Sequence, residues 1–498
     1  MRAAYRFLAA AVCAGLSVGT LFAQSSSGTI TGRVLDPSGQ AVPGATVTLV
    51  RTDIREVRSL VTRESGDITF ASLQPGPYTL RVEAPGFKTI EKANLSLSSS
   101  ERLSVGNLVL EIGVQSDTVI VRAAVTPVQT ASSERSALVD YNQVAQLPTR
   151  GRDIYGLMAT LPGVVYDGRG NDGIGQTTSP EGISGTRGQF SSASIDGVSG
   201  NARSGNQLDT TIAMDAVAEV KVLLNNYQAE YGKGSSGIVN IVSKGGTEDY
   251  HGSAYYYARN EKLNANDYFE NAAGNPRERY RYNTVGGTLG GPLWIPGPSR
   301  KGNDKLFFFL QYEYRPSTDP QATRYYTVPT AAERNGDFNR SVGNARGDLY
   351  PASRIIDPLT GQPFPGGIIP AIRIDPNMQK LLNVFPLPNA PDNINGGALS
   401  PSGQWYNYSI AHPQQRPGWQ GSLRLDYNIS DKWRAFVRAS NYGTHNEGPN
   451  SAVNRYPWDP DADIDYVLGA RNWGGTVTWI ASPTLVGELT AGYAAWTE

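Results

Sequence analysis

The sequence predicts a mainly β chain in three consecutive parts: a small N-terminal β-sandwich, a mixed α+β segment, and the N-terminal part of a large antiparallel transmembrane β-barrel. Three observations carry that prediction. Apolar residues two apart recur through most of the chain, as strands with two unlike faces require. The 55 glycines and 32 prolines supply frequent turn signals, and 26 tyrosines against 13 phenylalanines suit strands with aromatic ends. Beyond the N-terminus no segment approaches the ~20 apolar residues of a spanning helix, and the mean hydropathy is -0.35. A membrane-crossing part would therefore have to be a barrel.

At 498 residues the chain exceeds a single core. Its 44 basic and 45 acidic side chains leave a net charge of -1, which excludes the basic footprint of a nucleic-acid binder. One cysteine, Cys13, excludes a disulfide framework and cysteine-based zinc or iron–sulfur sites. Residues 1–23, MRAAYRFLAAAVCAGLSVGTLFA, place Arg2 and Arg6 before an apolar stretch from Phe7 to Val18, with small Ala23 suited to cleavage. The stretch is short and broken by Gly15, Ser17 and Gly19, the pattern of a removable export signal rather than an anchor. Cys13 would leave with it.

Residues 27–113 alternate in short segments: Ile30/Val34, Val47/Leu49, Ile68/Phe70, Tyr78/Leu80/Val82 and Leu108/Leu110/Ile112. Asp36-Pro37-Ser38-Gly39, Pro43-Gly44, Pro75-Gly76 and Pro85-Gly86 mark the turns between them. About seven strands in this span read as a sandwich. The run TGRVLDPSGQAVPGATVTL followed by GDITFASLQPGPYTLRVEAPGF resembles the carboxypeptidase regulatory-like domain. That resemblance implies a transthyretin/Ig-like sandwich with no catalytic residues, serving as a spacer or in carbohydrate binding.

Residues 117–123, Asp117-Thr118-Val119-Ile120-Val121-Arg122-Ala123, form an alternating strand pattern before the polar stretch TPVQTASSERSA. Its place admits two expectations, an extended tether or a final strand of the sandwich. The segment resembles the TonB box of outer-membrane active transporters. The resemblance implies that a periplasmic energy transducer adds to it as a β-strand.

Residues 135–248 change to mixed α and β. Ile154, Leu157, Met158 and Leu161 follow helical spacing, and Pro162-Gly163 ends that helix. Ser194-Ile195-Asp196-Gly197-Val198 reads as a strand entering a tight turn, and Val217–Leu224 and Gly237–Ser243 as strands around AEYGKGSSG. The motifs LPTRGRDIYGLMATLPGV, SIDGV and AVAEVKVLLNNYQAEYGKGSSGIVNIVSKGGT together resemble the plug domain of TonB-dependent receptors. The matching positions are Leu147, Pro148, Gly151, Arg152, Pro162, Gly163, Ile195, Asp196, Gly197, Tyr231, Gly232, Gly237, Asn240 and Lys244. Gly232, Gly234 and Gly237 also spell a dinucleotide fingerprint, but a strand follows where that fold needs a helix. They are expected to permit a tight reversal of the chain.

Residues 249–498 carry longer strands. Leu306, Phe308, Leu310, Tyr312 and Tyr314 alternate with Gln311, Glu313 and Arg315; Trp419, Leu423, Leu425 and Tyr427 with Gln420, Arg424, Asp426 and Asn428. The same scheme sets Trp433, Ala435 and Val437 against Arg434, Arg438 and Ser440, and Leu485, Leu489 and Tyr493 against Glu488 and Thr490. Repeated apolar and polar faces with aromatic ends fit a membrane barrel. The Pro-, Asn- and Gly-rich stretch between Pro316 and Trp405 is expected to be an extracellular loop.

No catalytic constellation is present. His251, His412 and His445 lack metal-site or base spacing, and Asp459, Asp461, Asp463 and Asp465 lack the glycine and terminal glutamate of a calcium loop. No cofactor, metal or enzymatic activity is expected. Taken together, the motifs and their order resemble Oar-like TonB-dependent receptors. The resemblance implies an outer-membrane protein with its N-terminal domain in the periplasm. A periplasmic TonB-type energy transducer and outer-membrane lipid would be its partners. Its activity would be energised uptake of a siderophore, oligosaccharide or peptide; a surface adhesion or carbohydrate-binding protein is the alternative. Residues 249–498 hold chain for roughly eight strands, whereas a plugged lumen takes about 22. The expectation is the front part of a longer receptor.

Overall fold

The computed structural model describes residues 26–114, 118–122, 132–147, 149–165, 182–187, 190–200, 212–229, 231–232, 235–272, 274, 276–293, 305–319, 323–351, 354–410, 413–447, 466–482 and 485–497. The expected export signal lies outside them, as do Asp117, Ala123, Pro148, Gly234, His412 and the run from Asp459 to Asp465.

Eight strands build the first unit: β1 (Gly28–Leu35), β2 (Thr46–Arg51), β3 (Glu56–Val61), β4 (Asp67–Leu73), β5 (Gly76–Glu83), β6 (Thr89–Leu97), β7 (Arg102–Val109) and β8 (Thr118–Arg122). They form two sheets, β4-β1-β7 and β3-β2-β5-β6-β8. The inward residues are the alternating ones: Ile30, Val47, Leu49, Ile68, Tyr78, Leu80 and Val82 are buried between the sheets. Gly44 and Gly86 take φ of 78° and 84° at the turns their Pro-Gly pairs mark. Ile112 departs from expectation. Its alternation with Leu108 and Leu110 continues past the sheet, because β7 pairs with β1 only as far as Leu35 opposite Val109. Ile112 is accordingly 75% exposed.

The segment Thr118–Arg122 is not a loose tether. As β8 it pairs in parallel with β6, Thr89 opposite Thr118 through Ala93 opposite Arg122, and forms an outer strand of the sandwich sheet. Of the two readings left open by the sequence, the structure takes the final-strand one for this backbone.

The second unit has a five-stranded mixed sheet, β14-β13-β16-β15-β9, with β9 at Arg135–Val139, β13 at Ser192–Ile195, β14 at Val198–Ser199, β15 at Val217–Asn225 and β16 at Ile238–Ser243. Short strands β10 (Val164–Val165), β11 (Gly182–Ile183) and β12 (Thr186–Arg187) make a small sheet beside it. The helix Tyr141–Gln146 is closed by a capping box between Asp140 and Gln143. The predicted helix is Ile154–Met158, capped by Asp153, with Ile154, Tyr155, Leu157 and Met158 buried. Gly163, at φ 87°, follows it.

The third unit is built on one nine-stranded antiparallel sheet, with two small two-stranded sheets beside it. Its long strands are β17 (His251–Asn260), β18 (Arg281–Pro292) and β19 (Leu306–Arg315), then β26 (Gly418–Ser430), β27 (Trp433–Asn446), β28 (Tyr466–Ser482) and β29 (Leu485–Thr497). Between them come β20 (Ser317–Asp319), β21 (Arg324–Tyr326), β22 (Ala398–Leu399), β23 (Trp405–Tyr406), β24 (Tyr408–Ile410) and β25 (Gln414–Gln415). The sheet order is β25-β20-β18-β19-β26-β27-β28-β29, with β17 on β18, and the two small sheets are β21-β24 and β22-β23. Connections alternate in length. A two-residue turn joins β26 to β27 and two residues separate β28 from β29, whereas β19 and β26 are separated by about a hundred residues whose described parts carry short strands and short helices. Short turns on one side and long loops on the other are the habit of outer-membrane barrels.

Burial in this sheet is inverted relative to a soluble protein. Leu310, Tyr312, Tyr314, Trp419, Leu423, Val437 and Val477 are exposed, whereas Gln311, Glu313, Arg315, Arg424, Arg438, Asn472 and Thr476 are buried. Exposed apolar side chains on strand after strand would favour aggregation in water. They are at home against lipid, with the polar face inward. Trp433 and Trp479 stack at 5.7 Å beside the short turns, where an interfacial girdle belongs. Among the described residues no helix is long and apolar enough to cross a membrane.

Candidate functional site

The plug-like unit sits on the polar face of the sheet, and its motif residues make the junction at two places. Asp196, at φ 47°, and Gly197, at φ 81°, form the turn between β13 and β14. This turn aims the Asp196 carboxylate, 3% exposed, at the wall. Ser243 of β16 donates to it twice, from its backbone N–H at 3.0 Å and its hydroxyl at 2.5 Å. Arg438 Nε of β27 lies 2.9 Å away and Arg424 Nη1 of β26 lies 3.4 Å away. Arg438 also donates to the carbonyl of Ile195 at 3.0 Å and to Asn472 Oδ1 at 2.7 Å. Arg424 forks onto Asp426 at 2.8 and 2.9 Å and lies over the Phe436 ring at 4.2 Å. Asn472 closes the ring by donating to the Ser199 carbonyl at 3.0 Å.

Beside this polar cluster the two units interlock sterically. Val198 occupies the space left by Gly474 of β28 and Gly492 of β29; a Cβ at either glycine would stand 2.4 Å from a Val198 methyl. Phe309 of β19 is buried within the plug's own apolar cluster.

A second contact is built on Gly151 and Arg152. Gly151 adopts φ 73° and Arg152 φ 56°, which turns the loop toward β19. The Arg152 guanidinium pairs with Asp215 of the plug and lies 3.4 Å from Glu313 of the wall. It lies over the neighbouring rings of Tyr255 and Tyr257, at 4.8 and 4.5 Å. Arg315 donates to the Gly151 carbonyl at 3.2 Å, and Glu313 receives Tyr255 at 3.1 Å and Gln420 at 3.2 Å.

The remaining motif residues work inside the plug. Leu147 ends the helix Tyr141–Gln146, and Pro162 and Gly163 turn the chain after the next one. Tyr231 is buried with Leu223 and Ile238. Asn240 accepts from the Ser194 hydroxyl at 2.9 Å. Gly237 serves close packing rather than a reversal, since a Cβ there would meet Ile183 at 2.5 Å; no neighbour crowds Gly232. The Lys244 backbone N–H donates to the Ala216 carbonyl at 2.8 Å, and burial lowers its side-chain pKa. Among the described residues no group of three or more His, Cys, Asp or Glu is arranged to hold a metal.

Sequence reasoning marked Asp196 and Arg152 but not their wall partners. A signal for two of them exists. The turn between Ser430 and Trp433 sets the hairpin register, which puts Arg424 directly opposite Arg438. Like charges so placed repel, so a carboxylate from elsewhere is required between them.

A strand wall with one face suited to lipid and the other polar defines a membrane β-barrel protein, here with a separate α+β unit on the polar face. Residues 242–498 match the outer membrane beta barrel domain and residues 29–111 the carboxypeptidase regulatory-like domain. The chain belongs to the outer membrane beta barrel domain family. It is 26% identical over 333 residues to the TonB-dependent transporter Oar of Myxococcus xanthus, covering 64% of this chain and 29% of that protein. The outer membrane transporter YddB of Escherichia coli aligns over 72% of this chain and 38% of its own, at 12% identity and a TM-score of 0.41. The siderophore receptor PirA of Acinetobacter baumannii aligns over 72% of this chain and 47% of its own, at 16% identity and a TM-score of 0.33. The chain thus spans under a third of the curated relative and under half of each of these two solved structures.

Proposed function

We propose that this chain is part of a TonB-dependent outer-membrane receptor that takes up a ligand of the siderophore, oligosaccharide or peptide class. The observation that carries the proposal is the plug seated on the wall through buried but polar contacts at Asp196 and Arg152, just downstream of the box-like strand β8. A plug held only by apolar packing would be a permanent part of the core. Held by ion pairs and hydrogen bonds whose donors and acceptors water can also serve, it can exchange partners when displaced. In this reading ligand binds the long loops and the outer surface of the plug. The periplasmic transducer adds a strand to β8 and pulls, and the Asp196 and Arg152 contacts rearrange to open a path.

Val121→Pro tests the partner step, because proline removes a main-chain donor from any strand added there. The purified periplasmic domain of a TonB-type transducer is expected to co-purify with the unaltered chain and to be lost from the variant. Undiminished capture by Val121→Pro would sink the box assignment.

A further inference from the structure

The sandwich and the plug have separate apolar cores, with no buried residue shared between the two clusters. The named bonds that join the sandwich to the rest are polar. Three of them lie at the short-turn end of the wall or where the plug enters it: Glu56 with Arg434 at 2.8 Å, the Ser27 hydroxyl donating to Glu488 at 2.6 Å, and Arg55 with Glu248 at 2.7 Å. Two more reach further in. Arg424 donates to Gln74 at 3.1 Å, and the Ser99 backbone N–H donates to Glu219 of β15 at 2.6 Å. Between these contacts lies a cavity of about 860 Å³ bordered by Arg51, Asp53, Asp215 and Lys244 on one hand and by Leu97, Leu138, Met214 and Phe309 on the other, so the seam is bridged by polar groups and incompletely filled. The plug and wall, by contrast, share Phe309 and interlock at Val198. Polar interfaces between domains are the ones that open.

The segment proposed to receive the partner belongs to the weaker of these two attachments. β8 is hydrogen-bonded into the sandwich sheet, and twelve residues follow it before β9 of the plug. Fully extended, a stretch of that length spans about 40 Å.

We propose that the sandwich is a detachable cap on the periplasmic end of plug and wall, and that a pull on β8 lifts this cap before it loads the plug. The pull rests on the receptor reading above; the cap does not. Partly buried Glu219 makes the seam sensitive to pH. Burial pushes its carboxyl up to about 7, opposed by the Ser99 N–H and by Lys221, and assisted by Glu101 of the sandwich and Asp140 at the helix cap. Lys221 is itself paired with Glu134 at 2.9 Å. The sandwich covers this carboxyl at Ser99 and adds the Glu101 charge, so lifting it off returns the group from about 7 toward 4.5 and releases a proton across that window. Docking is therefore favoured at the acid end, weakens as pH rises towards about 7, and is level above it.

The test uses the full chain in lipid nanodiscs with pairs of spin labels. Ser38→Cys with Lys432→Cys spans cap and wall, and Asn225→Cys with Lys432→Cys spans plug and wall; all three positions are exposed. Raising the pH from about 5 to about 8 should add a longer distance to the first pair and leave the second unchanged. Glu219→Gln should remove that response. In a single-molecule pull through the transducer's periplasmic domain, the cap should release first, and a maleimide bridge between Ser27→Cys and Glu488→Cys should abolish this first release. A cap distance that stays single across the pH range, or that changes together with the plug distance, overturns the proposal. If the transducer domain fails to attach, the receptor reading falls, and the pH response alone decides whether the cap exists.

Discussion

Replacing Asp196 with alanine is expected to loosen the plug from the wall by about 3 kcal/mol, because removing one partner of a buried ion pair strands the other charge. Two guanidiniums, Arg424 and Arg438, and two donors of Ser243 converge on this carboxylate. The loss falls at the lower end of the usual range because Arg424 keeps Asp426 and Arg438 keeps Asn472. Hydrogen exchange in β13 and β16 should accelerate about a hundredfold, at roughly 1.4 kcal/mol per tenfold. Asp196→Asn, which retains an acceptor for Ser243 but not the charge, should fall between the two. Unchanged protection in the alanine variant would mean that the hairpin is held by packing alone.

The second large effect is steric. Leucine in place of Gly474 should lift the β13–β14 hairpin off the wall, since its Cβ alone stands 2.4 Å from Val198, and overpacking of this kind costs about 1–3 kcal/mol. The site offers its own control. Val198→Ala combined with Gly474→Ala should recover most of the stability lost by Gly474→Ala alone, read as plug dissociation in a thermal melt. Residues in contact give non-additive cycles. Additive losses would show that Gly474 and Val198 do not meet.

Much of this architecture was legible in the alternation of side chains. Strands β19, β26 and β27 expose the residues that the period of two assigns to lipid, from Leu310 to Val437. The hairpin turn at Asp196-Gly197 was legible for a local reason: both residues take positive φ, and Asp and Gly tolerate it. What the pattern misses is contact between distant segments. Phe309 and Phe436 are apolar residues on the polar face, and their reason lies in what they cover: Phe309 enters the plug core, and Phe436 lies under Arg424. The pairing of β8 with β6 was illegible for a related reason. Parallel neighbours need a crossover rather than a tight turn, so no short-range signal marks them. The docking of the sandwich depends on single contacts such as the Glu56 carboxylate and the Ser99 backbone N–H, and such contacts leave no periodicity to read.

The central claim is that the third unit is a membrane wall with the α+β unit on its polar side, and labelling its two faces tests this most directly. Single cysteines with a fluorescent label at Leu423, Val437 and Val477, and separately at Ser422, Ser440 and Thr476, place reporters on exposed and buried positions of the same strands. In nanodiscs the first set should be quenched by brominated lipid and spared by iodide, while the second set is untouched by the lipid quencher. Quenching of the first set by iodide and not by lipid would contradict the account.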